Sequence, residues 1–429
     1  MKRQNGLATM MRRAVGSAVV IGTMATAAMA QELTLIGHRV HQMVTTEGAA
    51  GAPADEWAAA RSMSLNWLTF NVQDVHERLY REASLSTTSI DVGFVANRYF
   101  RPQFTEMFAP LDDFLASHPI EAFDEMPQGM LDALTYDGKL YGIPFRHATA
   151  ALHINTAILA ERGHEVPTTY EEVLELARAL SFRRDDGTQV HGLLIDFRGP
   201  SMISDFARAK ANGDFITADF QLLANSPEMI EAVETVAGLF NDGVLPRAFL
   251  NFRTEDVITY MQQGRAAMAI SPFSRYQNFN NPEQSQVAGN VISIALPASE
   301  ALQAAGIEAA PVRTEFWAMV IPQNSDAKEA AWDFIREMSS VENTIRAAVN
   351  GNGPIRPSAY DDARIQSMVP YWEAEQAALA VARPPFPGFE ESARAEDIFI
   401  EEFDLVLLGR KTAAQAMEAV QARVGALLP

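Results

Sequence analysis

Short apolar runs alternate with amphipathic helical stretches along most of this chain, and that alternation restricts the fold more than any other feature. Each run is stopped by a glycine, a proline or a polar cluster. The runs fall at residues 33–36, 65–70, 90–95, 150–154, 192–196, 266–270, 291–296 and 316–321. Between them the spacing predicts helices over 72–84 and 327–339. Another helix starts at Thr168 or Thr169 and runs to about Leu180, with acidic residues in its first turn. A fourth starts behind Ser226, with Pro227 at its first position. Hydroxyl caps, an early proline and first-turn carboxylates all favour a helix start. An aromatic-rich helix is expected after residue 95, reaching about Met107. Residues 395–428 read as a helix pair broken at Gly409, behind the rigid Pro-rich connector 383–388. Strands and helices in alternation build a parallel or mixed sheet with helices against it.

The first 30 residues stand apart from this pattern. Lys2, Arg3, Arg12 and Arg13 give a basic start, 14–28 is small and apolar, and Ala28-Met29-Ala30 precedes Gln31. That is the form of a secretory signal peptide, too short and wrongly flanked for a membrane span. Without it the chain holds 30 basic and 54 acidic residues, a net charge of about −24. So acidic a chain repels nucleic acid and anionic membrane surfaces. No later apolar run is long enough to span a bilayer. The chain has no cysteine, so it has no disulfide and no cysteine to carry an N-terminal lipid anchor. A freely soluble periplasmic product is expected, large enough to bury its core without crosslinks and to form two domains.

Five segments, taken in order, resemble one family. They are Asp137-Gly-Lys-Leu-Tyr-Gly-Ile-Pro144 with Ala151-Leu-His-Ile-Asn155, then Val166-Pro-Thr-Thr-Tyr-Glu-Glu172. They continue with Gly264-Arg-Ala-Ala-Met-Ala-Ile-Ser271, Ala331-Trp-Asp-Phe-Ile335 and Gly409-Arg-Lys-Thr-Ala-Ala-Gln-Ala-Met417. Together they are similar to the extracellular solute-binding proteins of ATP-driven importers, in the group that includes maltose-binding protein. Three positions depart from the family pattern: His153 for Tyr, Tyr170 for Trp and Met417 for Leu. The resemblance implies an α/β, two-lobed periplasmic binding protein fold with three interlobe crossings and a central ligand cleft. Matched by motif, the crossings fall near 146–148, 313–317 and 350–356. Lobe 1 is then 31–147 plus 317–350, and lobe 2 is 148–316 plus 351–429. The resemblance further implies hinge closure on a small-molecule ligand and delivery to the membrane permease subunits of an ABC importer. It implies no cofactor and no chemistry, and a monomer is expected.

Ligands of open α/β sheets sit beyond the carboxyl ends of the strands. That rule selects the loops 37–41, 96–100, 145–149, 197–201, 272–276 and 313–317, with 66–73 as a weaker addition. Sugar sites combine aromatic faces with planar polar groups. Tyr99, Phe273, Tyr276 and Trp317 are the candidate aromatics. Phe273 stands where the maltose-binding type carries a sugar-stacking tryptophan. Arg39, Arg98, Arg146, Arg198, Arg275 and Arg313 fall in or beside the same loops, with His38, His41 and His147. Arginine suits bidentate contact with a carboxylate or phosphate, so a uronate, sugar acid or phosphorylated polyol stands beside a neutral sugar as the ligand. The bland alternative is that most of these arginines pair with nearby acids. His38-x-x-His41 also invites a metal, but no acidic cluster accompanies it. A secreted carbohydrate-active enzyme stays open as an alternative, since a carboxylate pair could hide in so acidic a chain. Yet no Gly-x-Ser-x-Gly elbow, phosphate loop or His-Glu-x-x-His helix is present; His76-Glu77 lacks the second histidine. His153 is open between a ligand contact and a buried, hydrogen-bonded core histidine.

Overall fold

The computed structural model describes residues 32–429 except 197, 198 and 218; the leader expected over 1–30 lies outside the described residues. Eleven strands are named here: β1 Glu32–His38, β2 Ser64–Phe70, β3 Val92–Ala96, β4 Thr135–Tyr136, β5 Lys139–Leu140, β6 Ile143–Asn155, β7 Phe182–Arg183, β8 Gln189–Ile195, β9 Ala266–Pro272, β10 Val291–Ile294 and β11 Thr314–Val320. Nine of them form one sheet, eight along the path β2-β1-β3-β11-β6-β9-β8-β7 and β10 off that path on β6. β1 runs parallel to β2 and β3, and β8 runs parallel to β9. β11 lies antiparallel to both β3 and β6. The mixed sheet expected from the alternation is therefore observed.

β6 organises the molecule. Its first half pairs with β11, from Ile143 against Met319 to Thr149 against Thr314. Its second half pairs with β9 and β10, from Ala150 against Pro272 to Asn155 against Val291. One 13-residue strand thus serves two half-sheets. The sequence puts an interlobe crossing near 146–148 and a strand only from Ala150. The structure joins them, because Arg146 and His147 are buried and their backbone stays in the ladder. A third chain segment meets β6 where His147 bridges Gly353. Gly353 allows that approach: a Cβ there would lie 2.5 Å from the His147 carbonyl oxygen.

Two large cores lie on either side. One gathers Leu33, Leu35, Phe94, Val95, Phe145, Trp317, Val320, Trp332 and Phe334. The other gathers Leu152, Leu193, Phe206, Phe215, Val233, Met268, Phe399 and Met417. A third cluster joins Ala151 and Phe273 to Ile345, Val349, Tyr360 and Tyr371. It straddles the lobe boundary expected at residues 350 and 351. The helix starts read from the sequence are present. Thr169 caps Tyr170–Ala179 in a reciprocal capping box with Glu172, and Ser226 caps Pro227–Asn241. The helix expected to reach Met107 is absent. Two 3-10 turns, Asn97–Tyr99 and Pro102–Met107, stand there, because Pro102 interrupts the run and cannot donate inside a helix. Among the described residues no helix is long and apolar enough to cross a membrane.

Candidate functional site

A cavity of about 900 Å³ has walls from both halves of the molecule. From the first half come His38 and Arg39 at the end of β1, Thr69, Phe70 and Asn71 at the end of β2, and Glu47. From the second half come Thr254, Glu255, Ser274, Arg275, Gln277 and Asn278, with Asn350 and Gly351 at the third crossing. This is the strand-end position that open α/β sheets use for ligands. The segment 66–73, ranked last by sequence, supplies three of the lining residues. A second cavity of about 380 Å³ opens where Arg98, Tyr99 and His76 face Ser201, Phe386 and Glu396.

The candidate residues separate into groups. His38, Arg39 and Arg275 line the main cavity, and Arg98 and Tyr99 line the second. Arg146 stands just behind Ser274, 5% exposed, donating from Nη2 to the Ser274 Oγ at 3.0 Å. Arg198 lies outside the described residues. Three others, Phe273, Trp317 and Arg313, are buried, and Tyr276 is partly buried. Phe273 is buried and stacks on Tyr371 at 5.6 Å in the third cluster, so it does not present a sugar-stacking face. Tyr276 packs against the same ring at 5.0 Å. Trp317 is buried edge-on to His41 at 4.6 Å. Arg313 is buried in an ion pair with Asp205 and donates to the Asp196 carbonyl. Arg98 is paired with Glu315 at 2.9 Å.

The histidines explain themselves by burial. His41 stacks on Phe94 at 4.4 Å and accepts the His38 amide on Nδ1, at the start of the helix Arg39–Thr46. His147, expected to face a wet cleft, is instead buried, with Nε2 3.1 Å from the Tyr360 hydroxyl and Nδ1 2.9 Å from the Thr149 hydroxyl. The reason is the β6 pleat, which turns neighbouring side chains to opposite faces. His153 is the core histidine of its two alternatives. Its Nδ1 meets the Ser293 hydroxyl at 2.6 Å and its Nε2 meets the Ser271 and Pro272 carbonyls at 3.2 Å. His76 donates from Nδ1 to the Val72 carbonyl and accepts the Ala96 amide on Nε2, with its ring stacked on Tyr99 at 3.9 Å.

Sequence reasoning missed Glu255, Gln277 and Asn278 in the cavity wall, and the buried Glu375 beside His147. Glu375 is buried 3.8 Å from His147 Nε2, and burial pushes its carboxyl up to about 8. Gln277, Asn278 and Glu255 lie on helical or loop segments that carried no strand-end signal. Among the described residues no group of three His, Asp or Glu side chains could hold a metal ion.

Two lobes on shared strands, with a cavity walled by both, define the class of two-lobed binding proteins. The chain matches the model of the bacterial extracellular solute-binding protein family over residues 54–372 and belongs to that family. It is 22% identical over 352 residues to a binding protein of Brucella abortus strain 2308, covering 80% of each chain. It is 21% identical to a Sinorhizobium fredii periplasmic-binding protein named for an amino-acid ABC transporter, covering 94% of each. Its fold is similar to that of maltose-bound MalE3 from Thermotoga maritima, with a TM-score of 0.79 at 17% identity over 93% of this chain and 100% of that one. A solute-binding protein from Agrobacterium vitis with bound D-mannitol gives a TM-score of 0.73 at 19% identity over 93% and 100%.

Proposed function

We propose that this chain is the extracytoplasmic substrate-binding component of an ABC importer, holding a sugar, sugar acid or polyol between its lobes. The observation that carries this reading is the cavity of about 900 Å³ walled by strand ends from both halves. The lobes are 31–147 plus 317–350 and 148–316 plus 351–429, and they close about the crossings on β6, on β11 and near Gly353. The protein binds and releases its solute unchanged. It works as a soluble monomer in the periplasm, exported by the leader. Relatives that carry maltose and D-mannitol in the same fold support the ligand class. A ligand that binds only the closed form narrows the cleft by hinge motion. Small-angle scattering is therefore expected to show a smaller radius of gyration once a ligand from a sugar, sugar-acid and polyol panel raises the melting midpoint by mass action. A ligand that raises the midpoint with no change in radius contradicts hinge closure, and turnover of a glycoside contradicts the binding-only reading.

A further inference from the structure

The geometry points to an anion seat formed by Arg146 and Arg275 at the inner wall of the main cavity, so that the carried solute bears a carboxylate. The inference rests on the solute-binding reading above and adds the charge of the ligand to it.

The two guanidinium groups come from adjoining strands, Arg146 from β6 and Arg275 three residues beyond β9. Ser274, which accepts from Arg146, and Arg275 both line the cavity. The Nε atoms of Arg146 and Arg275 are buried with no hydrogen-bond partner. Among the described residues neither arginine makes an ion pair. That sets them apart from Arg98 with Glu315, Arg313 with Asp205 and Arg208 with Asp214, each of which is matched. Burial and the charge of Arg275 draw Arg146 down to about 10, so it stays charged at neutral pH beside a like charge.

The nearby acids do not neutralise the pair. Glu375, which feels the Arg146 charge, is held protonated at neutral pH by burial. Asp196 feels Arg275, but it accepts from the Thr254 hydroxyl at 2.7 Å and lies outside ion-pair distance of Arg275. Glu47 and Glu255 line the same cavity without pairing to either arginine. His38 faces both guanidinium groups and is held down to about 3 by burial and by Arg275 and Arg146. It is therefore neutral, adds no repulsion, and keeps a ring nitrogen for hydrogen bonding.

The uncompensated charge of buried Arg146 destabilises the empty protein, and a carboxylate held by Arg275 at the wall, with Arg146 behind Ser274, offsets that cost. Around the seat, Gln277, Asn278 and Gln284 line the cavity, and their side chains make no intramolecular hydrogen bond among the described residues. Such amides suit the hydroxyl or amino groups of a solute beyond its carboxylate. A sugar acid and an amino acid share this chemistry.

The test is calorimetry on the purified full chain, stripped of bound solute by unfolding and refolding. The probes are gluconate and glucuronate, glutamate as the amino-acid arm, and sorbitol and glucose as neutral counterparts. A carboxylate probe is expected to bind and its neutral counterpart to fail, and the arm that binds names the source. Arg275→Gln, at a cavity wall, is expected to weaken that binding by about 10- to 100-fold. Arg146→Lys keeps the buried charge but loses the fork, and is expected to weaken binding with its melting midpoint retained. If sorbitol or glucose binds as tightly as its acid, or if Arg275→Gln leaves affinity unchanged, the anion seat is wrong while solute binding stands. If no probe binds the unaltered chain, the sugar and polyol reading falls together with the seat.

Discussion

Glu375 is 2% exposed, and burial lifts its carboxyl to about 8 against the Tyr360 hydrogen bond and the Arg146 charge. His147 beside it is held down to about 3 by burial and by Arg146, so at neutral pH two neutral groups meet across 3.8 Å. The folded chain keeps a proton on Glu375 that the unfolded chain releases from about pH 4.5 upward. Stability from this group is complete below that value and is lost as pH rises toward about 8. Glu375→Gln keeps a neutral polar head. It is expected to match the unaltered chain at pH 5 and exceed it at pH 8 by on the order of 3 kcal/mol, read from urea midpoints. An equal gap at both values would sink the argument. Little of this was legible in the sequence. Polar residues at strand ends could be found, but their partners could not: Arg98 meets Glu315 217 positions away, and Arg313 meets Asp205 108 away. Which arginines stay unpaired is decided by those long-range meetings.

Elements pack closely where side chains are missing. Gly192 on β8 lets the helix Tyr170–Ala179 lie against the strand: a Cβ there would sit 1.7 Å from the Ala177 carbonyl oxygen. Backbone cannot yield as a flexible side chain can, so Gly192→Ala must push helix and strand apart. The expected loss is about 3 kcal/mol of unfolding free energy by denaturant titration, at the upper end for overpacking. A change under about 0.5 kcal/mol would show that the helix is loosely held. At this scale the sequence was most informative where the cause is local. The helix starts at Thr169 and Ser226 follow from hydroxyl caps and their near neighbours. It was least informative along β6. There Arg146 and His147 suggested a break, while the ladder to β11 kept the strand whole. The pattern of apolar runs fixed the mixed α/β sheet but carried no trace of the third cluster, whose members come from residues 151 to 378.

Across the whole molecule, six of eight histidines are held below their ordinary value, burial being the largest cause in each: His38, His41, His76, His147, His153 and His191. Each is neutral when folded and gains a proton when unfolded in mild acid. Their contribution is therefore fully present above about pH 6.5 and is lost as pH falls toward the folded values of about 3 to 4. Several groups acting together are expected to make unfolding free energy fall by more than one proton's worth, about 1.4 kcal/mol, per pH unit between pH 6 and pH 5. Urea titrations across that interval check this, and a slope at or below the single-group value would contradict it. With Glu375 opposing on the alkaline side, greatest stability is expected near neutrality. The order of strands has a further consequence, which concerns time. β11 lies between β3 and β6 but arrives in the chain some 160 residues after β6 ends. Through that interval of synthesis β3 and β6 each present an unpaired edge, and the first lobe cannot close its sheet. Folding must wait for a distant segment, and pairing across such a separation is slow. Until residue 320 is made, the nascent chain depends on something other than its own sheet to keep those edges apart from other chains.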